Sequence, residues 1–279
     1  MIAKLLKSRL LFLFTSIFVF CLSLWAYALH TMRQLPWQSP LFDTEIPKFI
    51  SPVHSNAILI FSKTNGFRHE SIEAGITAIK KAGEKKGWDM HTTENGALIN
   101  PGYLRQFKVV VFLSTTGEIL TGSQKLAFEN YIENGGGYAG IHSASDTEHG
   151  WAWYGKLLGT LFRDHTFLPY HLPDAEVITE NVNHPANRGL PTRWNKTDEW
   201  YNFNENIRGK ENFEVLLSLN EKSYTSFWHK MNGDHPISWT HRMKKGRMFY
   251  TALGHNAETF IDSIAVKHIM GGIAWAGKL

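Results

Sequence analysis

The chain has 279 residues, of which 43% are apolar and 19% charged, so its composition excludes a disordered or fibrous protein. Its formal net charge is +4, with 29 Lys and Arg against 25 Asp and Glu. Three basic residues, Lys4, Lys7 and Arg9, lie near the N-terminus, which leaves 26 basic against 25 acidic residues from residue 30 onward. Because this larger part is nearly neutral and has no Lys/Arg-rich run, we expect no nucleic-acid partner.

An uncharged apolar run of 20 residues, 10–29, follows the basic residues. A helix of that length spans about 30 Å, the thickness of the hydrocarbon core of a bilayer. The preceding basic residues predict a cytoplasmic N-terminus and a periplasmic or extracellular domain. We interpret 1–29 as a signal anchor, with a signal peptide cleaved near Ala28 as the alternative. Cys21, the only cysteine, lies in this run, so the exported domain has neither disulfides nor cysteine ligands.

The rest of the chain is predicted to be a linker, 30–54, and one domain, 55–279. The linker has four prolines and no periodic pattern. In the domain, short apolar runs predict strands, and segments of helical periodicity alternate with them. The predicted strands are 57–61, 89–93, 109–113, 138–141, 236–241 and 247–253. The predicted helices are 71–86, 123–133 and 258–276.

The pattern of these elements predicts an α/β fold. Strands that are apolar throughout and separated by helices are typical of a parallel sheet covered by helices on both faces. Leu126, Phe128 and Ile132 are expected on the inner side of helix 123–133. The segment 160–235 is irregular and rich in Asn, His and Pro, which predicts long loops or an insertion.

The chain contains 14 histidines, and three of them follow predicted strands. His69 lies in the loop after the first strand, His142 ends strand 138–141, and His255 follows the last strand. Because ligands of open parallel sheets bind beyond the carboxyl ends of the strands, we expect these histidines at one rim. Each alone could be a structural hydrogen-bonding group. As a set they are candidate catalytic residues, since imidazole serves as acid, base or metal ligand near neutral pH.

Other polar residues could assist this rim. Asp146 and Glu148 lie just past His142 and could orient its ring. His165 lies in the irregular middle segment, as does the cluster 198–201, which has the sequence Asp-Glu-Trp-Tyr. An aromatic ring beside a carboxylate suits a sugar, because the ring stacks on one sugar face and the carboxylate binds hydroxyls. The alternative is that both aromatic rings pack in the core.

Six short segments occur in a fixed order along the domain. They are TNGFRH at 64–69 with Ser71-Ile72, GGGYAGIH at 135–142, Phe162 with His165, His184-Pro185 with GLP at 189–191, DEWY at 198–201, and GRMFY at 246–250 with LGH at 253–255. Together they resemble the ThuA-like (trehalose utilisation) family over roughly residues 56–277. The resemblance implies the class I glutamine amidotransferase-like fold, a flavodoxin-like parallel sheet, and a role in carbohydrate metabolism.

The resemblance also bears on the amidotransferase reaction. True amidotransferases carry their nucleophile in a Gly-x-Cys-x-Gly turn, whereas here 140–144 has the sequence Gly-Ile-His-Ser-Ala. His142 therefore stands at the position of the cysteine, and no glutaminase activity is expected. Ser143, one residue further on, is the alternative nucleophile. Glu258 follows His255 by three residues, rather than the two of a true triad.

Three hypotheses for the function follow from the resemblance. The first is an enzyme, a hydrolase or isomerase, that acts on a sugar or keto-sugar with His142 and His255 as the proton-transfer pair. Its predicted substrate-binding residues are Arg68, His165, Glu199, Tyr201 and Asp146. The second is a non-catalytic carbohydrate-binding or accessory protein. The third is a metal-dependent hydrolase, with Zn²⁺ or a similar divalent ion bound by His69, His142 and His255.

Overall fold

The computed structural model describes residues 2–31, 39–48, 51–227 and 230–279. It separates into two compact units, one ending at Leu41 and the other running from Phe42 to Leu279. Part of the predicted linker, residues 32–38 and 49–50, lies outside the described residues.

The first unit contains helix α1 (Ile2–Thr31). Its stretch Lys7–His30, 24 residues long, is long and apolar enough to cross a membrane. It contains the run 10–29, and its apolar side chains are exposed, as in Phe12 at 75% and Phe18 at 67%. A cleaved signal sequence and a membrane anchor can both have this length and composition.

The second unit is built around a nine-stranded sheet. The strands in chain order are β1 (Ala57–Phe61), β2 (Asp89–Thr93), β3 (Phe107–Leu113), β4 (Gly137–Ile141), β5 (Phe162–His165), β6 (Asp174–Thr179), β7 (Arg193–Thr197), β8 (Tyr201–Phe203), β9 (Phe213–Leu219), β10 (His235–Met243) and β11 (Gly246–Thr251). The order in the sheet is β2-β1-β3-β4-β11-β10-β9-β6-β7, and β5 and β8 form a separate pair. Strands β2, β1, β3, β4 and β11 are mutually parallel, which confirms the predicted α/β fold.

The prediction of loops for 160–235 was wrong in part, because β6, β7 and β9 extend the sheet in antiparallel fashion beyond β10. In β6 and β7 buried residues alternate with more exposed ones, since these strands are packed on one face only. Polar residues at every second position, such as Glu176 and Asn195, hid both strands in the sequence. The pair β5 and β8 is short, and it also lies in this segment.

Helices cover both faces of the parallel strands, as predicted. They are α2 (Ile72–Glu84), α3 (Pro101–Leu104), α4 (Gly122–Glu133), α5 (Ala152–Leu158) and α6 (Ser263–Gly277). Ile58 and Ile60 of β1 pack in one apolar cluster with residues of α2 and α6. Leu59 and Phe61 pack in the other with residues of α3, α4 and α5, because alternate side chains of a strand point to opposite faces.

Two details of the helices differ from the sequence prediction. Leu126 of α4 is 58% exposed, so its predicted inward position was wrong, whereas Phe128 and Ile132 are fully buried. The last predicted helix, 258–276, consists of a 3₁₀ turn (Ala257–Phe260) and then α6. Asp262 separates the two, because its side chain caps the first backbone N–H groups of α6.

The second unit includes residues 43–45, which hydrogen-bond to later segments of the same unit. The Asp43 carboxylate accepts hydrogen bonds from Lys63 Nζ at 2.7 Å and from the Gly96 backbone N–H at 2.9 Å. The Glu45 carbonyl accepts one from Asn95 at 3.2 Å. Residues 43–45 of the predicted linker therefore belong to the second unit.

Candidate functional site

The loops at the carboxyl ends of β1, β4 and β11 bring three histidines together. His69 precedes α2, His142 follows β4 directly, and His255 follows β11 after Gly254. The ring centroids lie 4.6 Å apart for His69 and His142, 5.2 Å for His69 and His255, and 5.4 Å for His142 and His255. Residues from distant parts of the sequence thus meet at one edge of the sheet, as their positions after parallel strands predicted.

His142 occupies a sharp turn at the end of its strand. Its φ angle is +52°, in the left-handed region that non-glycine residues rarely adopt. Gly254 lies against it, and a Cβ atom added there would be 3.2 Å from the His142 Cβ. Such strain at the strand end is typical of a position that presents a functional side chain. The turn therefore has the sharp geometry expected from its likeness to an amidotransferase nucleophile turn.

The hydrogen bonds of His142 define which ring nitrogen faces its neighbours. Its Nδ1 lies 2.8 Å from the Ala252 carbonyl oxygen. Because a carbonyl can only accept, Nδ1 carries a proton, and Nε2 is the nitrogen that faces the neighbouring groups. That Nε2 lies 3.1 Å from His69 Nε2 and 3.4 Å from Glu199 Oε2. The second nitrogen of the His69 ring, Nδ1, lies 3.2 Å from Ser143 Oγ.

Glu199, two residues before β8, is the centre of the arrangement. It is 3% exposed, and each of its carboxylate oxygens contacts a different set of histidines. Oε2 lies near His142 and 3.0 Å from His255 Nδ1. Oε1 lies 3.1 Å from His165 Nδ1 and also contacts His171 Nε2. We call these six residues the histidine cluster, which comprises His69, His142, His165, His171, Glu199 and His255.

Asp198, the residue before Glu199, fixes two parts of the cluster. Its side chain is fully buried. Its carboxylate accepts hydrogen bonds from the backbone N–H groups of Gly254 at 3.0 Å, His255 at 3.1 Å and Glu199 at 2.9 Å. It also accepts one from the Thr259 hydroxyl at 2.9 Å. Asp198 therefore ties the loop after β11 to the start of β8.

Burial and charge set the protonation states of the cluster. Burial lowers the pKa of His69 to about 2, and the neighbouring His142 and His255 add to the effect, so His69 is neutral at pH 7. Burial alone would raise the pKa of Glu199, but hydrogen bonds from His142 and His255 hold it well below its usual range. Burial favours the neutral form of His255, but the Glu199 carboxylate outweighs this effect and raises the pKa of His255.

Some predicted site residues have other partners. Arg68 pairs with Glu94 at 2.7 Å and Glu73 at 3.0 Å. Asp146 contacts His149 at 2.8 Å. Both side chains are therefore bonded to residues outside the histidine cluster.

The aromatic residues of the 198–201 segment are buried. Trp200 is 0% exposed and donates from its indole N–H to the Pro173 carbonyl at 2.9 Å. Tyr201 is 3% exposed and packs on the His142 ring, with the ring centroids 4.3 Å apart. Of the two interpretations of this segment, core packing describes both rings.

The carboxylates that the sequence predicted beside His142 and His255 are not the ones that the structure places there. The suggestion that Asp146 and Glu148 orient His142 was wrong, since the Ala252 carbonyl does so and Glu148 accepts from the backbone N–H groups of 119 and 120. Glu258 is exposed, and Glu199 takes the place beside His255 that a triad carboxylate would have. A carboxylate from a distant loop has no sequence spacing that could reveal it.

Sequence reasoning missed His171 and Asp198. His171 lies in an irregular loop six residues after His165, a spacing that belongs to no ligand motif, and only the local density of histidines hints at it. Asp198 was visible only as the neighbour of Glu199. Its four accepted hydrogen bonds depend on chain segments that meet in the fold.

The donor atoms of the cluster fall into two groups suited to metal ions. His69, His142, His255 and Glu199 each offer one ligand atom, and these atoms lie within 4.8 Å of one another. The ligand atoms of His165, His171 and Glu199 also lie within 4.8 Å of one another. Neutral imidazole with a carboxylate is a donor set for Zn²⁺ and for other divalent transition metals.

Comparisons with known proteins agree with this architecture. Residues 57–276 match the family described as ThuA, trehalose utilisation. A ThuA-like protein from Bacteroides uniformis is 26% identical, with a TM-score of 0.66 over 83% of this chain and 95% of that chain. One from Parabacteroides merdae is 18% identical, with a TM-score of 0.60 over 81% of this chain and 90% of that one.

A more distant likeness is one of fold alone. A β-galactosidase from Bacillus circulans is 12% identical, with a TM-score of 0.52 over 81% of this chain but only 32% of that chain. No curated protein matches the chain.

Proposed function

The chain belongs to the ThuA (trehalose utilisation) family, and from that premise we propose that it is an enzyme that acts on a sugar with a divalent metal ion. The ion would be held by His69, His142, His255 and Glu199. The observation that carries the proposal is the position of His142 Nε2, which faces both His69 Nε2 and Glu199 Oε2.

These contacts fit a cation shared between the two side chains. His142 Nε2 and Glu199 Oε2 lie 3.4 Å apart, and both are potential metal-ligand atoms. A cation between them would satisfy both. The opposite ring nitrogens have partners typical of metal-bound histidine, namely the Ala252 carbonyl for His142 and the Ser143 hydroxyl for His69.

The residues of the chain would divide the work between binding and orientation. His142 is held by the Ala252 carbonyl, and Asp198 fixes the backbone of both His255 and Glu199. A bound divalent ion supplies Lewis acidity, which polarises a sugar carbonyl or lowers the pKa of a bound water. His165 and His171 have side chains 33% and 42% exposed, so they lie where a substrate could meet the cluster.

The substrate class rests on the family. Its description as trehalose utilisation supports a sugar or keto-sugar as the ligand. The position of an amidotransferase cysteine is occupied by His142, so we propose no glutaminase activity.

The test is turnover of a panel of trehalose-like sugars and keto-glucosides by full-length protein in mild detergent. Chelation should abolish turnover, and a divalent transition metal should restore it. His142→Ala and His255→Ala should lose turnover, whereas His149→Ala, a change at a histidine outside the cluster, should retain it. Unchanged turnover in the chelated protein or in both cluster variants would overturn the proposal.

A metal-free version of the same site is the second candidate, in which His142 and His255 transfer protons. It is favoured by the raised pKa of His255, which the Glu199 carboxylate causes against the effect of burial. Metal content separates the two versions. Active protein without bound metal supports proton transfer, and stoichiometric metal supports the first version.

We also propose that α1 anchors the domain in a membrane, with the domain outside the cytoplasm. The stretch Lys7–His30 and the basic residues at the N-terminus support this topology. N-terminal sequencing of the mature protein distinguishes the anchor from a signal peptide. An intact N-terminus in the membrane fraction supports the anchor, and a new N-terminus near residue 29 contradicts it.

A further inference from the structure

We propose that the histidine cluster binds two divalent metal ions, with Glu199 as the bridging carboxylate. The inner ion would be the one described above, and the outer ion would be held by His165, His171 and Glu199. This inference rests on the proposed function, since it adds a second ion to the same centre. It explains why two histidines beyond the rim residues converge on a carboxylate that the inner set already uses.

The first argument is the division of contacts between the two Glu199 oxygens. Oε2 faces His142 and His255, whereas Oε1 faces His165 and His171. A carboxylate that binds one ion can accept a hydrogen bond at its other oxygen, but here two imidazoles converge on Oε1 and form a second group of three donor atoms with it. A carboxylate that bridges two ions through its two oxygens would have donor atoms beside each oxygen in this way.

The second argument is that the outer histidines are positioned by the fold. The Thr166 side chain donates a hydrogen bond to the His171 carbonyl at 2.9 Å and accepts one from the Trp200 N–H at 3.1 Å. The Thr166 backbone N–H also donates to the Trp200 carbonyl at 3.0 Å. Thr166 is 1% exposed. One buried residue therefore ties the loop with both histidines to the strand that begins after Glu199.

The third argument concerns the ring nitrogens of the outer pair. His171 Nε2 contacts Glu199 Oε1 directly, and it is the nitrogen that would bind a cation shared with that oxygen. His165 Nδ1 lies between Glu199 Oε1 at 3.1 Å and the Thr166 carbonyl at 2.8 Å. In the metal-free protein Nδ1 donates to this carbonyl, so coordination through Nδ1 would move the proton of a neutral His165 to Nε2 and would cost that hydrogen bond, which weakens the outer site.

The two ions should differ in how tightly they are held. The inner set has four donors, and three of them are buried. The outer set has three donors, of which both histidines are partly exposed. Fewer ligands and greater access to water predict that the outer ion dissociates first. Two ions about 3.5–4 Å apart can hold two adjacent oxygen atoms of one ligand, such as a vicinal diol or a hydroxyketone of a sugar.

The experiment is a Mn²⁺ titration of the full-length protein in detergent after exhaustive chelation. Bound metal is counted by elemental analysis, and electron paramagnetic resonance reports whether the ions are coupled. The wild type should bind two Mn²⁺ with a coupled spectrum. His171→Ala and His171→Gln should bind one Mn²⁺ with an uncoupled spectrum, and His149→Ala, the matched change at an exposed histidine, should bind two.

The outcomes separate this inference from the proposed function. No bound metal in the wild type overturns both. One tightly bound Mn²⁺ in the wild type leaves the proposed function standing and overturns the second site. Two ions in the wild type and still two in both His171 variants overturn the placement of the outer ion. Circular dichroism of the variants shows that a lost ion does not reflect a lost fold.

Discussion

Two fully buried histidines, His268 and His142, differ in what surrounds their rings. His268 of α6 has a partner for each nitrogen, with Nδ1 3.2 Å from the Ala186 carbonyl and Nε2 2.8 Å from the Ser238 hydroxyl. His142 has a carbonyl partner for Nδ1, but its Nε2 faces another imidazole and a carboxylate. Burial alone does not distinguish a structural histidine from a functional one.

The difference lies in the chemical groups that face the second ring nitrogen. The Nε2 atom of His268 lies against an uncharged serine hydroxyl, which also donates to the Tyr250 carbonyl at 2.7 Å. The Nε2 atom of His142 instead faces a second imidazole and a carboxylate, and these three groups supply donor atoms that one cation could share. Each of the following experiments tests one side of this comparison.

The largest effect is expected at the centre of the cluster. Glu199→Gln keeps the shape of the side chain but removes the negative charge that faces both groups of histidines. We expect metal affinity to fall by more than about 100-fold, since loss of a ligand costs at least as much as loss of the groups that orient ligands. Calorimetric metal titration measures this effect. Unchanged affinity would show that Glu199 is not a ligand.

A smaller effect is expected at the residue that positions the ligands. Asp198→Asn replaces a carboxylate that accepts four hydrogen bonds, including those of His255 and Glu199. We expect metal affinity to fall by about 10- to 100-fold. Thr259→Val, which removes only one of these bonds, is the control and should have a lesser effect. Equal affinities in the wild type and Asp198→Asn would exclude the positioning role.

The structural histidine should affect stability and its pH dependence. Burial lowers the pKa of His268 from 6.5 to about 3, so the unfolded chain binds a proton that the folded chain does not. The stability contributed by the neutral ring is therefore complete above pH 6.5 and is lost as the pH falls towards 3. Between pH 7 and 5.5 this difference in proton binding should lower the free energy of unfolding of the wild type by about 1 kcal/mol.

His268→Gln removes that titration. Its free energy of unfolding, measured by denaturant titration of the full-length protein in detergent, should fall less between pH 7 and 5.5 than that of the wild type. Other titrating groups are common to both proteins and cancel in the difference. Parallel pH profiles would contradict the assignment of His268 as a neutral structural histidine.

The smallest effect is expected at Arg68, which lies near His69 in the sequence. Its guanidinium is 43% exposed and pairs with two surface carboxylates. Exposed ion pairs contribute about 0–1 kcal/mol to stability, so Arg68→Ala should change the free energy of unfolding by less than about 1 kcal/mol. Turnover measured at several sugar concentrations tests the predicted substrate contact, because loss of such a contact would raise KM.

The sequence predicted the parallel half of the fold well. The run Val109–Phe112 is apolar throughout because it is buried on both faces, and that pattern is visible without a structure. In β6 and β7 every second residue is turned away from the core, so these strands resembled polar loops. Their place in the sheet depends on pairing with β9, which no local pattern reveals.

The site residues that come directly after parallel strands could be predicted from the sequence. His69, His142 and His255 each come after a parallel strand, so their convergence could be expected from topology. His171 and Asp198 could not be identified in the same way. His171 depends on the loop that Thr166 ties to Trp200, and the role of Asp198 depends on hydrogen bonds to a segment more than 50 residues away.

The most direct test of the central claim is an anomalous diffraction map of crystals equilibrated with Zn²⁺, collected at the zinc absorption edge. A peak about 2.0–2.2 Å from His142 Nε2, His69 Nε2 and a Glu199 oxygen is the predicted result. A map in which zinc is absent from the space between these three residues would contradict the claim that His142, unlike His268, directs its free nitrogen at a metal ion.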